Sequence, residues 1–151
     1  ISGQGPNDQM QSDCQVYSQF AGTGTAAPGQ AVGSGCVFPT SVPNLTDQLT
    51  AQKLTWKGYM EDMATPCLHP ALNSPDPTQK ATVGNQYAVR HNPWTYFTSE
   101  RSACSTHDVP LTRFGEDVRN GRVGQAASGS RASRRSATCS RSCRCSVAYS
   151  A

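Results

Sequence analysis

The run Ser41-Val42-Pro43-Asn44-Leu45-Thr46-Asp47-Gln48-Leu49-Thr50-Ala51-Gln52, followed closely by Leu54-Thr55-Trp56-Lys57-Gly58-Tyr59-Met60, decides the fold class. Its first part predicts a helix over 41–52. Ser41 or Asn44 can cap it, Pro43 suits a first turn that has no use for an N–H, and Asp47 sits where the helix dipole favours an acid. Val42, Leu45 and Leu49 recur on one face and predict a buried stripe. Residues 54–60 then read as a strand, with Leu54, Trp56 and Met60 available to a core. A helix feeding a strand is half of an α/β unit, so the expected class is α/β.

Outward from that unit the chain is rich in loops. Pro66, Pro70, Pro75 and Pro77 hold residues 64–86 as loop. Residues 87–91 read as extended up to Asn92-Pro93, where a break belongs because the residue before a proline avoids the helical region. Pro93 then opens a short helix over 93–97, with Asn92 as its cap. Residues 109–121 predict a second amphipathic helix, with Leu111, Phe114 and Val118 as its stripe and Gly121 just past its end. Residues 1–40 carry no sustained period of 2 or 3.6 and read as loop.

A chain of 151 residues is the size of one domain. Only 15% of its residues are charged, a composition that suits a secreted or cell-envelope protein. No apolar run approaches the roughly 18 residues that a spanning helix needs. Ile1 opens into a Gly/Gln/Asn-rich segment with no leader pattern, which predicts a processed chain or a piece of a longer one.

Of seven cysteines, Cys14, Cys36, Cys67 and Cys104 are spread through the body, while Cys139, Cys143 and Cys145 crowd the end. The spaced four predict two disulfides and an oxidising compartment. Three pairings are open, and we expect the sequential one, Cys14–Cys36 with Cys67–Cys104.

Residues 1–123 hold eight Lys and Arg against ten acids, whereas residues 124–151 hold five Arg and no acid. The latter also contain eight Ser, six Ala and three Cys. Such text buries too little apolar surface to offset its ordering entropy, so a disordered tail is expected over 124–151. Its cysteine spacing, with no His, does not read as a zinc site. Nucleic-acid binding through its Arg residues is an alternative function, but no stacking pattern beyond Tyr149 makes it sequence-specific.

Aromatic rings interleaved with Arg, His and Asn supply the flat walls and convergent donors of a polar-ligand pocket. Residues 55–63 and 87–97 have this character. His91 is the candidate catalytic residue, and Arg90, His91, Asn92 and Tyr59 are the candidate substrate-binding set. Arg90 suits phosphate through its planar fork. His69 reads as a loop histidine. Glu61 and Asp62, adjacent on the chain, read as one structural hydrogen bond and one solvated charge. His107-Asp108 is not assigned a metal, and no metal site is expected in this chain alone.

The segments Trp56-Lys57-Gly58-Tyr59-Met60-Glu61-Asp62-Met63 and Arg90-His91-Asn92-Pro93-Trp94, with the Cys67/Cys104 bracket, resemble bacterial secreted phosphoesterases of the alkaline-phosphatase-like superfamily. That group includes acid phosphatases, phosphatidylinositol-phosphate phosphatases and phospholipase-C-type enzymes. The resemblance spans about residues 1–123. It implies a doubly wound α/β sandwich that hydrolyses phosphate esters with a Ser or Thr nucleophile and divalent metal held by Asp, Asn, Glu and His. It also implies that the nucleophile segment and an early metal motif belong before Ile1, and that an Asp/His-rich metal segment belongs after the helix near 111–120. The chain offers the Arg/Ser/Cys-rich text there instead. We therefore expect a partial phosphoesterase domain over 1–123, truncated before Ile1 and frameshifted near Val123, with no turnover of its own. A non-catalytic phosphate-ligand-binding remnant is the alternative.

Overall fold

A computed structural model describes residues 1–26, 30–124 and 126–130. It is a loop-rich assembly of mixed helix and strand, of α/β class. A short helix α1 (Asp8–Gln11) opens the chain, and strands β1 (Ala21–Ala26) and β2 (Gln30–Ser34) follow as an antiparallel pair. Helix α2 (Leu45–Ala51) leads into β3 (Trp56–Met60). Single 3-10 turns then occupy Pro77–Gln79, Val89–His91, Pro93–Tyr96 and Thr98–Glu100. Helix α3 (Cys104–His107) runs directly into β4 (Asp108–Pro110). A 3-10 turn at Leu111–Arg113, helix α4 (Phe114–Arg119) and β5 (Ala126–Ser130) complete the described chain.

The sheet order is β4-β3-β5, with both neighbours parallel to β3. Gly58 pairs with Asp108 on one side and with Ser128 on the other. The core packs Trp56, Met60 and Met63 against Tyr17, Val37, Tyr87, Val89 and Trp94. Phe38, Val42 and Phe97 form a second, smaller cluster. Gly58 is what lets β3 meet Trp94: a Cβ there would lie 2.4 Å from the indole Nε1.

Several expectations need correction. The first helix starts at Leu45, not Ser41, because Asn44 caps it. Asn44 Oδ1 accepts from Thr46 N at 2.7 Å while Asp47 Oδ2 accepts from Asn44 N at 2.8 Å, a reciprocal capping box. Val42 therefore lies outside the helix, and Leu45 is 44% exposed. Thr46 takes the buried place, beneath Glu100.

Residues 109–121 split into strand, 3-10 turn and helix, since Asp108–Pro110 pairs with β3 instead of coiling. Phe114 and Val118 stay partly exposed, and Asp117 is the buried residue of α4. Gly121 has φ +63, as a helix-terminating glycine should. Asn92 Oδ1 accepts no capping hydrogen bond from Pro93–Tyr96; the side chain turns into the core, where Nδ2 donates to Asp108. Val89–His91 coils into a turn rather than staying extended. The first 40 residues are not all loop, since they hold α1 and the β1–β2 pair.

The expected disorder over 124–151 fails at Ala126–Ser130, which is strand β5. A flanking strand joins a sheet through backbone groups, so Ala, Ser and Gly suffice where no apolar side chain is offered. Gly124 admits it: a Cβ there would lie 2.7 Å from the Trp56 backbone. The remaining tail, with Cys139, Cys143 and Cys145, lies outside the described residues.

Both body disulfides form in the sequential pairing, Cys14–Cys36 and Cys67–Cys104, as suits an oxidising compartment. No helix among the described residues is long and apolar enough to cross a membrane.

Candidate functional site

Arg90 and His91 end the turn Val89–His91, which is fixed to the neighbouring loop where Val89 N donates to Thr78 Oγ1 at 2.8 Å. The His91 ring is exposed. The Arg90 guanidinium is held loosely: Nη1 reaches Gln79 O at 3.3 Å and Oε1 at 3.4 Å, and Nε lies 4.0 Å from Asp13 Oδ2. Contacts this long leave the planar fork with donor capacity for an oxyanion.

Asn92 turns the other way. It is wholly buried, and Nδ2 donates to Asp108 Oδ2 at 2.7 Å and to the Tyr87 hydroxyl at 3.0 Å. Asp108 is also wholly buried, and burial pushes its carboxyl up to about 7, with the Asn92 bond pulling it partly back. Asn92 Oδ1 and Asp108 Oδ1 have no partner among the described residues.

Tyr59 serves a separate group. Strand alternation sends Gly58 and Met60 toward Trp94 and Tyr59 toward α4. There its hydroxyl donates to Asp117 Oδ2 at 3.0 Å, while Lys57 Nζ donates to the same oxygen at 2.6 Å. Lys57 holds the Asp117 carboxyl below its usual range, and burial with Asp117 beside it raises the Tyr59 hydroxyl. Of the four expected substrate-binding residues, Arg90 and His91 thus share a surface turn. Asn92 and Tyr59 are buried, each with protein partners.

His69 stacks on Tyr17 at 5.4 Å, with Nδ1 2.7 Å from Pro70 O, as a loop histidine does. Asp62 accepts from Gln86 N at 3.0 Å and has the structural role expected for one of the acidic pair. Among the described residues no group of three His, Cys, Asp or Glu side chains could hold a metal ion. These residues do not fit the metal cage of the resembled family.

A concavity among the described residues lies elsewhere. A cleft of about 240 Å³ opens between α2, the Thr98–Glu100 turn and α3. Its rings are Trp56 and His107, 4.6 Å apart between centroids. Its carboxylates are Asp47 and Glu100, and Thr50, Ser99 and Ser102 add hydroxyls. Burial lowers the His107 pKa against the opposing pull of Glu100. Asn44 organises this wall, with Nδ2 donating to Ser99 Oγ and Glu100 Oε1, both at 3.1 Å.

Sequence reasoning missed the cleft. The Asn44…Asp47 spacing signals a capping box, yet nothing local announces that Asn44 also reaches Glu100, 56 residues on. No protein-family model matches the chain, and no curated protein or solved structure matches it.

Proposed function

We propose that this chain belongs to a bacterial, secreted, metal-dependent phosphoesterase of the alkaline-phosphatase-like type, and that by itself it holds phosphate esters without cleaving them. The observation carrying this reading is that residues 56–63 and 90–94, the two segments of the resemblance, pack as one unit. Trp56 and Trp94 lie 4.9 Å apart, and Asn92 Nδ2 lies 3.9 Å from Met63 Sδ. Two strands parallel to β3, with helices in the connections, are what part of a doubly wound sandwich would contain. Arg90 and His91 are the phosphate-facing pair; Asn92, next in the chain, anchors their turn from inside through Asp108, and Tyr59, bonded to Asp117, takes no part. The divalent metal and the hydroxyl nucleophile belong to the intact enzyme, where they would neutralise and attack the phosphoryl group.

The test is ligand binding and turnover by the purified chain. Titration with p-nitrophenyl phosphate should show saturable binding by NMR, weakened about tenfold by Arg90→Ala through loss of a charge-assisted hydrogen bond. No nitrophenol should be released, with or without added divalent metal. A folded chain that fails to bind the ester would overturn the proposal, as would turnover abolished by His91→Ala.

A further inference from the structure

We propose that the Cys67–Cys104 bridge is a thiol–disulfide exchange site, open to a dithiol reductant at Cys67, with the Asp108 carboxyl as the acid that protonates Cys104. One residue touches both ends of the bridge: Asp108 O accepts from Cys67 N at 2.9 Å, and Asp108 Oδ2 lies 3.9 Å from Cys104 Sγ. The two cysteines differ in access. Cys67 is partly exposed and Cys104 only 2% exposed, whereas Cys14 and Cys36 are both buried. Exchange depends on which sulfur a thiolate can reach, so Cys67 is the end attacked and Cys104 the leaving group.

Asp108 is equipped to protonate what leaves. It is wholly buried, and Oδ1 has no partner among the described residues while Oδ2 accepts from Asn92. An ionised carboxylate in that state is costly, so burial holds the pKa up at about 7 and the proton stays on. The carboxyl torsion is broad and two-fold, so either oxygen can face the sulfur. A buried thiol titrates at or above about 8.5, which makes transfer from Asp108 to the departing thiolate downhill. The nearest titratable neighbours are neutral around pH 7: burial raises Tyr87 and Tyr17 and lowers His107, next in the chain. Arg101 and His69 stand behind Tyr17, against its ring.

A thiolate of the dithiol attacks Cys67 Sγ, forming a mixed disulfide as the Cys67–Cys104 bond breaks. The bonding pair leaves on Cys104 Sγ, which takes the Asp108 proton and becomes a thiol. The second thiol of the reductant, losing its proton to solvent, closes on its partner sulfur and expels Cys67 as a thiolate, which solvent protonates. Asp108 regains its proton from solvent. The bridge has gained two electrons and the dithiol has lost them.

Dithiothreitol reduction with timed iodoacetamide trapping and peptide mapping reads each bridge separately. Cys67 and Cys104 should be trapped at least about tenfold faster than Cys14 and Cys36. The rate constant per dithiothreitol thiolate should fall at least about tenfold from pH 6 to pH 9, as Asp108 loses its proton. A purely structural role predicts the opposite slope: ionising Asp108 weakens the fold above pH 7, and reduction through unfolding would speed up. Asp108→Asn should abolish the fall and react about tenfold or more slowly at pH 6. His69 and His107 titrate in both proteins and drop out of that comparison. The native profile needs no variant and decides by itself if Asp108→Asn does not fold. Equal rates at the two bridges overturn the proposal, as does a native rate constant that is flat or rises with pH. An unchanged profile in folded Asp108→Asn overturns it too. Arg90 and phosphate esters play no part in these outcomes.

Discussion

Asp108 has the most perturbed carboxyl described in the structure, and its environment carries a pH signature. Its folded value of about 7 stands above the ordinary 3.8, so the native state holds its proton more tightly than the unfolded chain does. The resulting stability is fully present below about 3.8 and is lost as pH rises through about 7. Asp108→Asn keeps an acceptor for Asn92 without a titrating group. Above pH 7 it should raise stability by on the order of 2–3 kcal/mol, and below pH 4 it should change little. Melting temperatures from pH 3 to 9 for both proteins check this: the gap should open across that range, and a constant gap would refute the assignment. Nothing in His107-Asp108-Val109 foretold the burial, because it depends on Asn92 and Tyr87 arriving from another part of the chain.

At the scale of elements, Asn44 does more than start α2. Its side chain caps the helix and also ties it to Ser99 and Glu100. Asn44→Ala should therefore cost more than a simple cap, about 2–4 kcal/mol in urea unfolding, from the lost cap and the partners left unpaired. A cost below 1 kcal/mol would show that the tie to Glu100 contributes nothing. The α2–β3 unit was legible in sequence because its signals are local: Asn44, Asp47 and the apolar residues around Trp56 act within a few positions of one another. Elements built by backbone pairing were not. β1 and β2 draw on Gly, Thr, Ala and Ser, which offer no apolar contrast, and β5 has the same fault. The surface turn of Arg90 and His91 was legible as a polar aromatic segment, whereas the cleft of Asp47, Glu100 and His107 is assembled across some 60 positions of chain and left no mark in any one of them.

For the whole molecule, the two disulfides tie down a chain with few long elements of its own. Cys14–Cys36 closes 22 residues around the β1–β2 pair, and Cys67–Cys104 closes 37 around the turns that carry Arg90 and Trp94. Replacing Cys14 and Cys36 together by Ser should cost about 3 kcal/mol, the loop-closure entropy of a bracket this size. The melting temperature of the double variant measures it, and an unchanged value would mean that the pair is dispensable. The two brackets follow one another along the chain and do not interlock, so each can close without waiting for the other. During synthesis the first bracket is complete once Cys36 emerges and the second once Cys104 does. Where the chain enters an oxidising compartment N-terminus first, each native pair joins cysteines that are neighbours in the order of arrival, so Cys14–Cys36 can close before Cys67 offers an alternative partner.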